Sequence, residues 1–282
     1  KNSNKVAILD LPKKIRKERK NLKGIEIIEG DIRKKKTFDK LKFKADIVFH
    51  LAALCSTEMS EKYPEQCIKT NINGTKNLLD WCTKINVKKI VYTSSMAVYG
   101  KNAPNISENS SCNPISVYGK TKFRGENILL KKRDEMKIII LRLFNVYGPD
   151  QDLENQVQGM FSIYLSHLLK YKMIFVKGSL NRVRDFVFVD DVISALKHNY
   201  SKSDTYNVGN GKPISVINII KLIFKNLKIK YSKKLVKIIK THSGDTNISY
   251  ANISKIKKVG WFPKYDIKKG SFKTIQKLNL WK

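Results

Sequence analysis

The chain has 282 residues and a formal net charge of +32, with 41% hydrophobic and 10% aromatic residues. This composition excludes a disordered chain, and its longest apolar stretch, residues 47–55, is far shorter than the roughly 20 residues of a membrane span. The charge comes mostly from Lys and is spread along the chain, whereas nucleic-acid readers concentrate charge on one face and favour Arg. We therefore expect no nucleic-acid and no membrane partner, and a positive field that attracts an anionic substrate.

The cysteines and the first residues bear on compartment and metal content. The four Cys include no CxxC pair, which argues against a zinc site and favours reduced thiols in a cytoplasmic enzyme. Residues 1–5 are not followed by the apolar core of a signal peptide. We expect a cytoplasmic protein without a bound metal.

Short Val- and Ile-rich runs alternate with longer amphipathic stretches. The predicted strands are residues 6–10, 25–29, 47–51, 90–93, 138–143 and 173–176, and the clearest predicted helices are residues 74–85 and 118–130. This alternation predicts a doubly wound α/β fold, a Rossmann-like parallel sheet covered by helices on both faces. We expect a truncated NAD-binding domain over residues 1–147. Residues 148–282 would form mainly a smaller substrate-binding α/β lobe, with some segments returning to the sheet.

Glycine is absent from the start of the chain, where a dinucleotide-binding fold needs it. The first glycine is Gly24, whereas a glycine-rich loop normally follows the first strand and places the pyrophosphate on a helix N-terminus. Residues 5–10 resemble the second strand of such a fold. We therefore expect the first strand and its loop to be missing, so that the sequence begins about 30 residues into the fold and a gap interrupts the sheet.

Three segments at predicted strand ends are candidates for cofactor binding. Asp10 can accept hydrogen bonds from a ribose 2′-hydroxyl and would repel a 2′-phosphate, which favours NAD over NADP; the alternative is a solvated turn residue. Asp31 and Ile32 follow the third strand of the fold and could meet the adenine. After His50 come Leu51, Ala52 and Ala53, whose two small alanines let the backbone approach a dinucleotide or serve ordinary helix–sheet packing.

The strongest chemical signal is a hydroxyl-rich strand followed by a YxxxK motif. Ser95 ends the strand, and Tyr118 and Lys122 lie four residues apart, on one face of a helix. An ammonium beside the phenol is expected to lower its pKa toward the range of a general base. We predict that Tyr118, Lys122 and Ser95 are catalytic, and that Tyr118 and Lys122 also contact the cofactor.

With these motifs the chain resembles the extended short-chain dehydrogenase/reductases, particularly the UDP-glucose 4-epimerase-like members of the NAD-dependent epimerase/dehydratase family. Further matches are Leu141 to Pro149 (LRLFNVYGP) and Val183 to Val192 (VRDFVFVDDV). The resemblance implies that Phe144 backs the nicotinamide, that Asn145 touches the nucleotide sugar and that Arg184 binds the diphosphate. It also implies that Asn71 lines the cofactor cleft, and that the protein is a homodimer.

The chain departs from the family pattern near Gly244 and Asp245. Better-known epimerases carry an Arg before these residues, whereas this chain has His242 and Ser243. We assign His242 and Asp245 to the substrate site, where Arg184 or nearby lysines would share the phosphate binding. Ser249 corresponds to the position that gates the C2 substituent of the sugar, and its small size would leave room for an N-acetyl group.

The residues after Ser95 favour one reaction among those of the family. Dehydratases need an Asp–Glu pair at this point, and Met96 and Ala97 cannot transfer a proton. We therefore expect NAD-dependent C4 epimerisation of a UDP-glucose- or UDP-GlcNAc-like sugar nucleotide through a 4-keto intermediate. A reductase or dehydrogenase of the same family would share every motif, and an inactive fragment is the further alternative.

Overall fold

The structure is a computed structural model that describes residues 5–18, 22–41, 44–100, 103–239 and 248–278. The predicted substrate residues His242 and Asp245 lie outside these ranges. Within them, no helix has the length and apolar character that a membrane crossing requires.

A four-stranded parallel sheet forms the centre of the molecule. Its strands, in spatial order, are β3 (Ile47–His50), β4 (Lys89–Ser95), β5 (Lys137–Leu143) and β9 (Asp204–Val208). The interior of β5, from Ile138 to Arg142, is buried throughout. Such nearly continuous burial is typical of a parallel sheet covered on both faces, as the apolar runs predicted.

Helices cover this sheet and bring the functional segments to its carboxyl edge. They are α3 (Thr57–Lys62), α4 (Pro64–Ile68), α5 (Gly74–Lys84) and α6 (Val117–Leu130), with a π-helical turn, Lys69–Asn73, joining α4 to α5. Leu78, Leu79 and Cys82 of α5 pack against Ile90 and Ile138 of the sheet. The predicted helices 74–85 and 118–130 are therefore confirmed to within a residue of each end.

The first two strands form a separate parallel pair. They are β1 (Ala7–Asp10) and β2 (Glu26–Glu29), with α1 (Pro12–Glu18) between them and α2 (Lys35–Asp39) after them. In the described part of the chain, β3 pairs only with β4, and its side chains Ile47 and Phe49 are each 45% exposed. Among the described strands, no ladder joins this pair to the central sheet.

A second small sheet begins one residue after β5. Phe144 alone separates β5 from β6 (Asn145–Tyr147), and its backbone N–H donates to the carbonyl of Val208, at 3.0 Å. The sheet is built around β8 (Val183–Phe188), which pairs in parallel with β6 and β12 (Ile248–Ser249) and antiparallel with β10 (Pro213–Ser215). The carboxyl end of β5 therefore meets the amino end of β6 at Phe144.

The strand predicted at residues 173–176 is present but does not join the central sheet. It is β7 (Ile174–Lys177), which pairs with β11 (Val236–Ile239) in a separate two-stranded ladder. The place beside β5 is taken by β9, whose sequence DTYNV is too polar to stand out as an apolar run. Placing residues 173–176 in the parallel sheet was therefore wrong.

Helices of the second half pack into two different hydrophobic cores. α7 (Met160–Tyr171), α9 (Val216–Asn226) and α11 (Ile267–Gln276) pack around the small sheet, whereas α8 (Val189–Lys197) and α10 (Ser254–Lys258) pack into the core that includes β4, β5 and β9. Two backbone segments converge on the buried Asp185 of β8, whose carboxylate accepts from the N–H groups of Asn210, Gly211 and Ala251. β9 returns to the central sheet, as expected of some later segments, and the division at residue 147 stays a prediction.

Candidate active site

Ser95 ends β4 and begins the turn that faces the catalytic helix. Its Oγ accepts a hydrogen bond from the backbone N–H of Ala97, at 3.2 Å, and so caps the 3-10 turn Met96–Tyr99. This capping holds the hydroxyl at the carboxyl edge of the sheet. The direction of the Ser95 hydroxyl is therefore set by the backbone of the turn that follows the strand.

The first turn of α6 is held from three sides. Ser116 caps the helix by accepting from Gly119 N, at 3.0 Å, and Ser60 of α3 accepts from Tyr118 N, at 3.0 Å. A Cβ atom at Gly119 would lie only 2.5 Å from the carbonyl oxygen of Ala97. Gly119 thus lets the helix backbone touch the turn that carries Ser95, and this contact brings Tyr118 within reach of it.

Tyr118 and Lys122 share neighbours, since both lie near Cys55 and Tyr92, and Ser95 lies near Tyr118. Burial raises the pKa of the Tyr118 phenol, and a hydrogen bond with Ser95 opposes this rise. Burial also lowers the pKa of Lys122 to about 8. The lowered phenol pKa expected from Lys122 is not found in the protein alone, because burial dominates.

A buried polar network anchors α6 beneath this cluster, and the sequence reasoning missed it. Arg142 of β5 binds both carboxylate oxygens of Glu126, from Nε at 3.0 Å and from Nη2 at 2.7 Å. The Ser94 hydroxyl donates to the same carboxylate, and Arg142 donates to the hydroxyl of Tyr99 at 3.0 Å. Glu126 lies one helical turn beyond Lys122, so the network fixes the catalytic helix to both central strands.

The acidic candidates for cofactor binding lie at strand ends, as predicted. Asp10 ends β1, and its carboxylate accepts from Leu11 N at 2.7 Å. Asp31 follows β2 and is gripped by Arg33, whose Nε and Nη2 atoms both donate to it; these hydrogen bonds lower the pKa of Asp31. Ile32 packs against Gly74, where a Cβ atom would lie 2.5 Å from its Cδ1. Arg33 is a partner that the sequence reasoning did not identify.

The segment after β3 is open, whereas Asn71 is enclosed. Leu51 is 51% exposed and Ala52 is also exposed, while Ala53 is half-buried. Asn71 is only 1% exposed, and its amide bonds the backbone of Leu54 and the Thr121 hydroxyl of α6. Asn71 therefore ties the loop after β3 to α6, and its role toward the cofactor stays a prediction.

The predicted substrate residues meet around β8, and Phe144 lies beside them. Phe144 is 2% exposed, in the core behind the carboxyl end of β5. Asn145 donates to the carbonyl of Asp185 at 2.7 Å. Arg184 is buried, donates to the carbonyl of Val183 and lies opposite Ser249 in the strand register. Their roles toward ligands stay predictions.

The fold and the cluster together define a class. A doubly wound parallel sheet that presents a serine, a tyrosine and a lysine four residues after the tyrosine at its carboxyl edge is typical of nicotinamide-dependent short-chain dehydrogenase/reductase enzymes.

Comparison with known proteins identifies the family. The NAD dependent epimerase/dehydratase family matches residues 2–209, and the chain belongs to it. It is therefore confirmed as a relative of the UDP-glucose 4-epimerase-like enzymes, and NAD, the predicted cofactor, is the cofactor of the family.

Three relatives illustrate the likeness. A provisionally named UDP-glucose 4-epimerase of Methanocaldococcus jannaschii is 34% identical over 87% of this chain and 81% of its own length. The solved UDP-glucose 4-epimerase of Thermotoga maritima, with UDP-glucose, has a TM-score of 0.88 and 27% identity, covering 99% of this chain and 92% of its own. The UDP-N-acetylglucosamine 4-epimerase of Methanobrevibacter ruminantium M1, in complex with UDP-N-acetylmuramic acid, has a TM-score of 0.86 and 29% identity, covering 99% and 91%.

Proposed function

We propose that this protein epimerises a UDP-sugar at C4, with NAD as the cofactor and a 4-keto sugar as the intermediate. The observation that carries the proposal is the placement of Ser95 at the end of β4 against the first turn of α6, which carries Tyr118 and, one helical turn later, the buried Lys122. The three relatives support the substrate class, since they are named for UDP-glucose and UDP-N-acetylglucosamine.

Each residue of the cluster has a distinct role in this proposal. Tyr118 removes the proton of the sugar C4 hydroxyl, and Ser95 hydrogen-bonds the same oxygen. Because burial raises the pKa of Tyr118, the phenolate needs positive charge nearby, which Lys122 supplies from one helical turn away. After the keto sugar has turned over, Tyr118 returns the proton to the oxygen and completes the inversion.

The described residues fit NAD on the open side of the site. Asp10 would hold the adenosine ribose, Asp31 and Ile32 the adenine, and the exposed backbone of residues 51–53 would lie along the dinucleotide. Bound NAD supplies the hydride acceptor and donor for the sugar carbon. Asp31 would bind the adenine while its carboxylate stays hydrogen-bonded to Arg33, because a carboxylate has lone pairs left for one further donor.

The turn after Ser95 distinguishes the candidate reactions. Met96 and Ala97 occupy the 3-10 turn, and neither side chain can exchange a proton, so dehydration lacks its acid–base pair. A reductase or dehydrogenase would use the same cluster, but its reaction would consume or form free reduced cofactor. An epimerase returns the hydride to the sugar and leaves the cofactor balance unchanged.

The assay follows product and cofactor together. UDP-glucose, UDP-GlcNAc and UDP-glucuronate are each incubated with the protein and NAD, and anomeric signals are followed by NMR while absorbance reports reduced cofactor. We expect a C4 epimer without net NADH. The chain is tested as it is and with a family-type strand and glycine-rich loop joined before β1. Net NADH, or no epimer from either form, would contradict the proposal and favour the dehydrogenase or inactive alternatives.

Ser249 offers a test of how an N-acetyl group is accommodated. Its hydroxyl is buried and has no hydrogen-bond partner among the described residues. If the position supplies only space, Ser249→Ala should leave the ratio of kcat/KM for UDP-GlcNAc and UDP-glucose within about twofold. It should leave the free energy of unfolding unchanged or raise it by about 1 kcal/mol, because an unpaired buried hydroxyl is costly.

A matched control is Ser166→Ala. The Ser166 hydroxyl donates to Leu153 O at 2.7 Å and accepts from Gln156 at 2.9 Å, so its loss should cost about 1–2 kcal/mol in urea unfolding. A selective loss of UDP-GlcNAc turnover in Ser249→Ala would show instead that the hydroxyl binds the substrate.

The assembly and compartment stay proposals as well. We propose a homodimer through the helices that include α6, and Ile68 at the end of the neighbouring α4 is 43% exposed. Sedimentation equilibrium of the protein and of Ile68→Glu would test this, since a charge in the interface should shift the mass toward the monomer. A cytoplasmic location without nucleic-acid or membrane partners also remains expected.

A further inference from the structure

The amine of Lys122 lies over an aromatic ring. Its Nζ is 4.3 Å from the centroid of the Tyr92 ring in β4, and both residues are almost fully buried. Among the described residues Lys122 forms no ion pair within 4.0 Å. The ring of Tyr92 is thus the group in contact with this buried cation, and an ammonium over an aromatic face is attracted by the ring quadrupole.

The surroundings of Tyr92 are shaped to hold this ring. His50 packs against it with a centroid distance of 5.2 Å. Gly125 of α6 lies at its edge, where a Cβ atom would be 2.5 Å from the Tyr92 hydroxyl. That hydroxyl is buried without a hydrogen-bond partner in the described part of the chain, so the ring, and not the hydroxyl, provides the interaction.

We propose that Tyr92 is a positioning residue for the proposed reaction: its ring seats the Lys122 ammonium and keeps it charged beside Tyr118. The inference rests on the proposed function only for its effect on turnover. The placement of the cation and its protonation are properties of the protein itself.

Few charges compete with the ring for this role. The titratable groups around Lys122 are Tyr118 and Glu126 on α6, His50 of β3, Cys55 after it, Cys67 of α4 and Tyr92 of β4. Glu126 is already bound by Arg142, and burial together with the Lys122 charge lowers the pKa of His50 to about 3, which keeps it neutral. Cys55 and Cys67 have their pKa raised by burial, so the thiols stay protonated.

The sign of the effect on pH dependence follows. Burial lowers the pKa of Lys122 to about 8, and attraction to the ring favours the charged form. Removing the ring should therefore lower the pKa further, by about 0.4 to 1.5 units for an interaction of the usual cation–π size. The alkaline limb of kcat should move to lower pH by the same amount.

The test compares Tyr92→Phe with Tyr92→Leu. Lysine methylene signals labelled with ¹³C at Cε are titrated by NMR, and the Lys122 signal is assigned by its absence in Lys122→Met. We expect Tyr92→Phe to keep the Lys122 pKa within about 0.3 unit and kcat within about twofold, because the ring is retained. Tyr92→Leu should lower the pKa and reduce kcat above pH 8, with substrate KM changed less than about twofold.

Two controls distinguish loss of the contact between Lys122 and the Tyr92 ring from a general loss of stability. Tyr200→Leu removes another fully buried ring, which stacks on Tyr206; it should destabilise the protein without moving the Lys122 pKa. Should Tyr92→Leu fail to fold, Gly125→Ala takes its place, because the added methyl displaces the Tyr92 ring. Adding Tyr92→Phe, which removes the clashing oxygen, should then restore the pKa.

Several outcomes would overturn the proposal. An unchanged Lys122 pKa in Tyr92→Leu, equal effects of Tyr92→Phe and Tyr92→Leu, or Gly125→Ala without a shift would each do so. The NMR titration needs no substrate, so it decides the seating of Lys122 even if no sugar is turned over. Absence of turnover in the unaltered protein would count against the epimerase proposal alone.

Discussion

Replacement of Tyr118 by Phe is expected to lower kcat by about 10² to 10⁴-fold, the usual contribution of a positioned general acid–base group. The substitution removes the hydroxyl that hydrogen-bonds Ser95 and would exchange a proton with the sugar. Substrate KM should change little, because the proton transfer stabilises the transition state more than the bound sugar. Steady-state kinetics with the sugar nucleotide that the assay identifies would measure both constants.

The backbone of α6 should survive this change. Its N-terminus is held by Ser116 and Ser60 through main-chain N–H groups, which Phe retains, so NAD binding by calorimetry and the melting temperature should stay close to those of the unaltered protein. Tyr171→Phe is a matched control, since Tyr171 is 57% exposed and lies at the end of α7. Turnover by Tyr118→Phe at more than about a tenth of the normal rate would remove Tyr118 as the base.

The second large effect is expected on stability, from Glu126→Gln. The Glu126 side chain is 1% exposed and that of its partner Arg142 is 7% exposed. Burial alone would lower the pKa of Arg142, but its hydrogen bonds and ion pair with Glu126 outweigh this and raise it. Losing the carboxylate leaves a buried guanidinium without a counter-charge, which should cost about 3–5 kcal/mol of unfolding free energy.

Urea unfolding followed by circular dichroism would measure this loss. The control is Glu135→Gln. Glu135 is 52% exposed and pairs with Lys132, which is 36% exposed, so loss of this ion pair should lower the free energy of unfolding by less than about 1 kcal/mol. The double variant Glu126→Leu/Arg142→Met should recover much of the stability, because it leaves no unpaired charge. A cost below about 1 kcal/mol for Glu126→Gln would show that the pair does not anchor α6.

Local sequence patterns predicted the frame of the molecule. The apolar runs predicted the strands of β1 to β5, because residues in a doubly covered parallel sheet must be apolar almost without interruption. The YxxxK spacing placed Tyr118 and Lys122 on one helical face, and strand ends placed Ser95 near them. These inferences depend on periods of a few residues, which are visible in a single sequence.

Contacts between distant segments could not be predicted in the same way. Arg142 interrupts an apolar strand, which signals a buried partner, but nothing in the spacing identifies Glu126 as that partner. Asn71 was expected at a ligand, yet its amide is spent on Leu54 and Thr121. The rise in the Tyr118 pKa likewise depends on burial by groups far apart in the chain. The polar segment of β9 becomes recognisable as a strand only from its pairing with the edge of β5.

The meeting of the two sheets has a mechanical consequence. The backbone passes from one to the other at Phe144, whose N–H is tied to Val208, and it crosses again near Asn210 and Ala251, both fastened to the Asp185 carboxylate. Because these hydrogen-bonded crossings lie close together, we expect no hinge about which the two sheets could open and close. Entry and exit of a ligand would then require bending of peripheral loops, and the distance between the two sheets would stay constant.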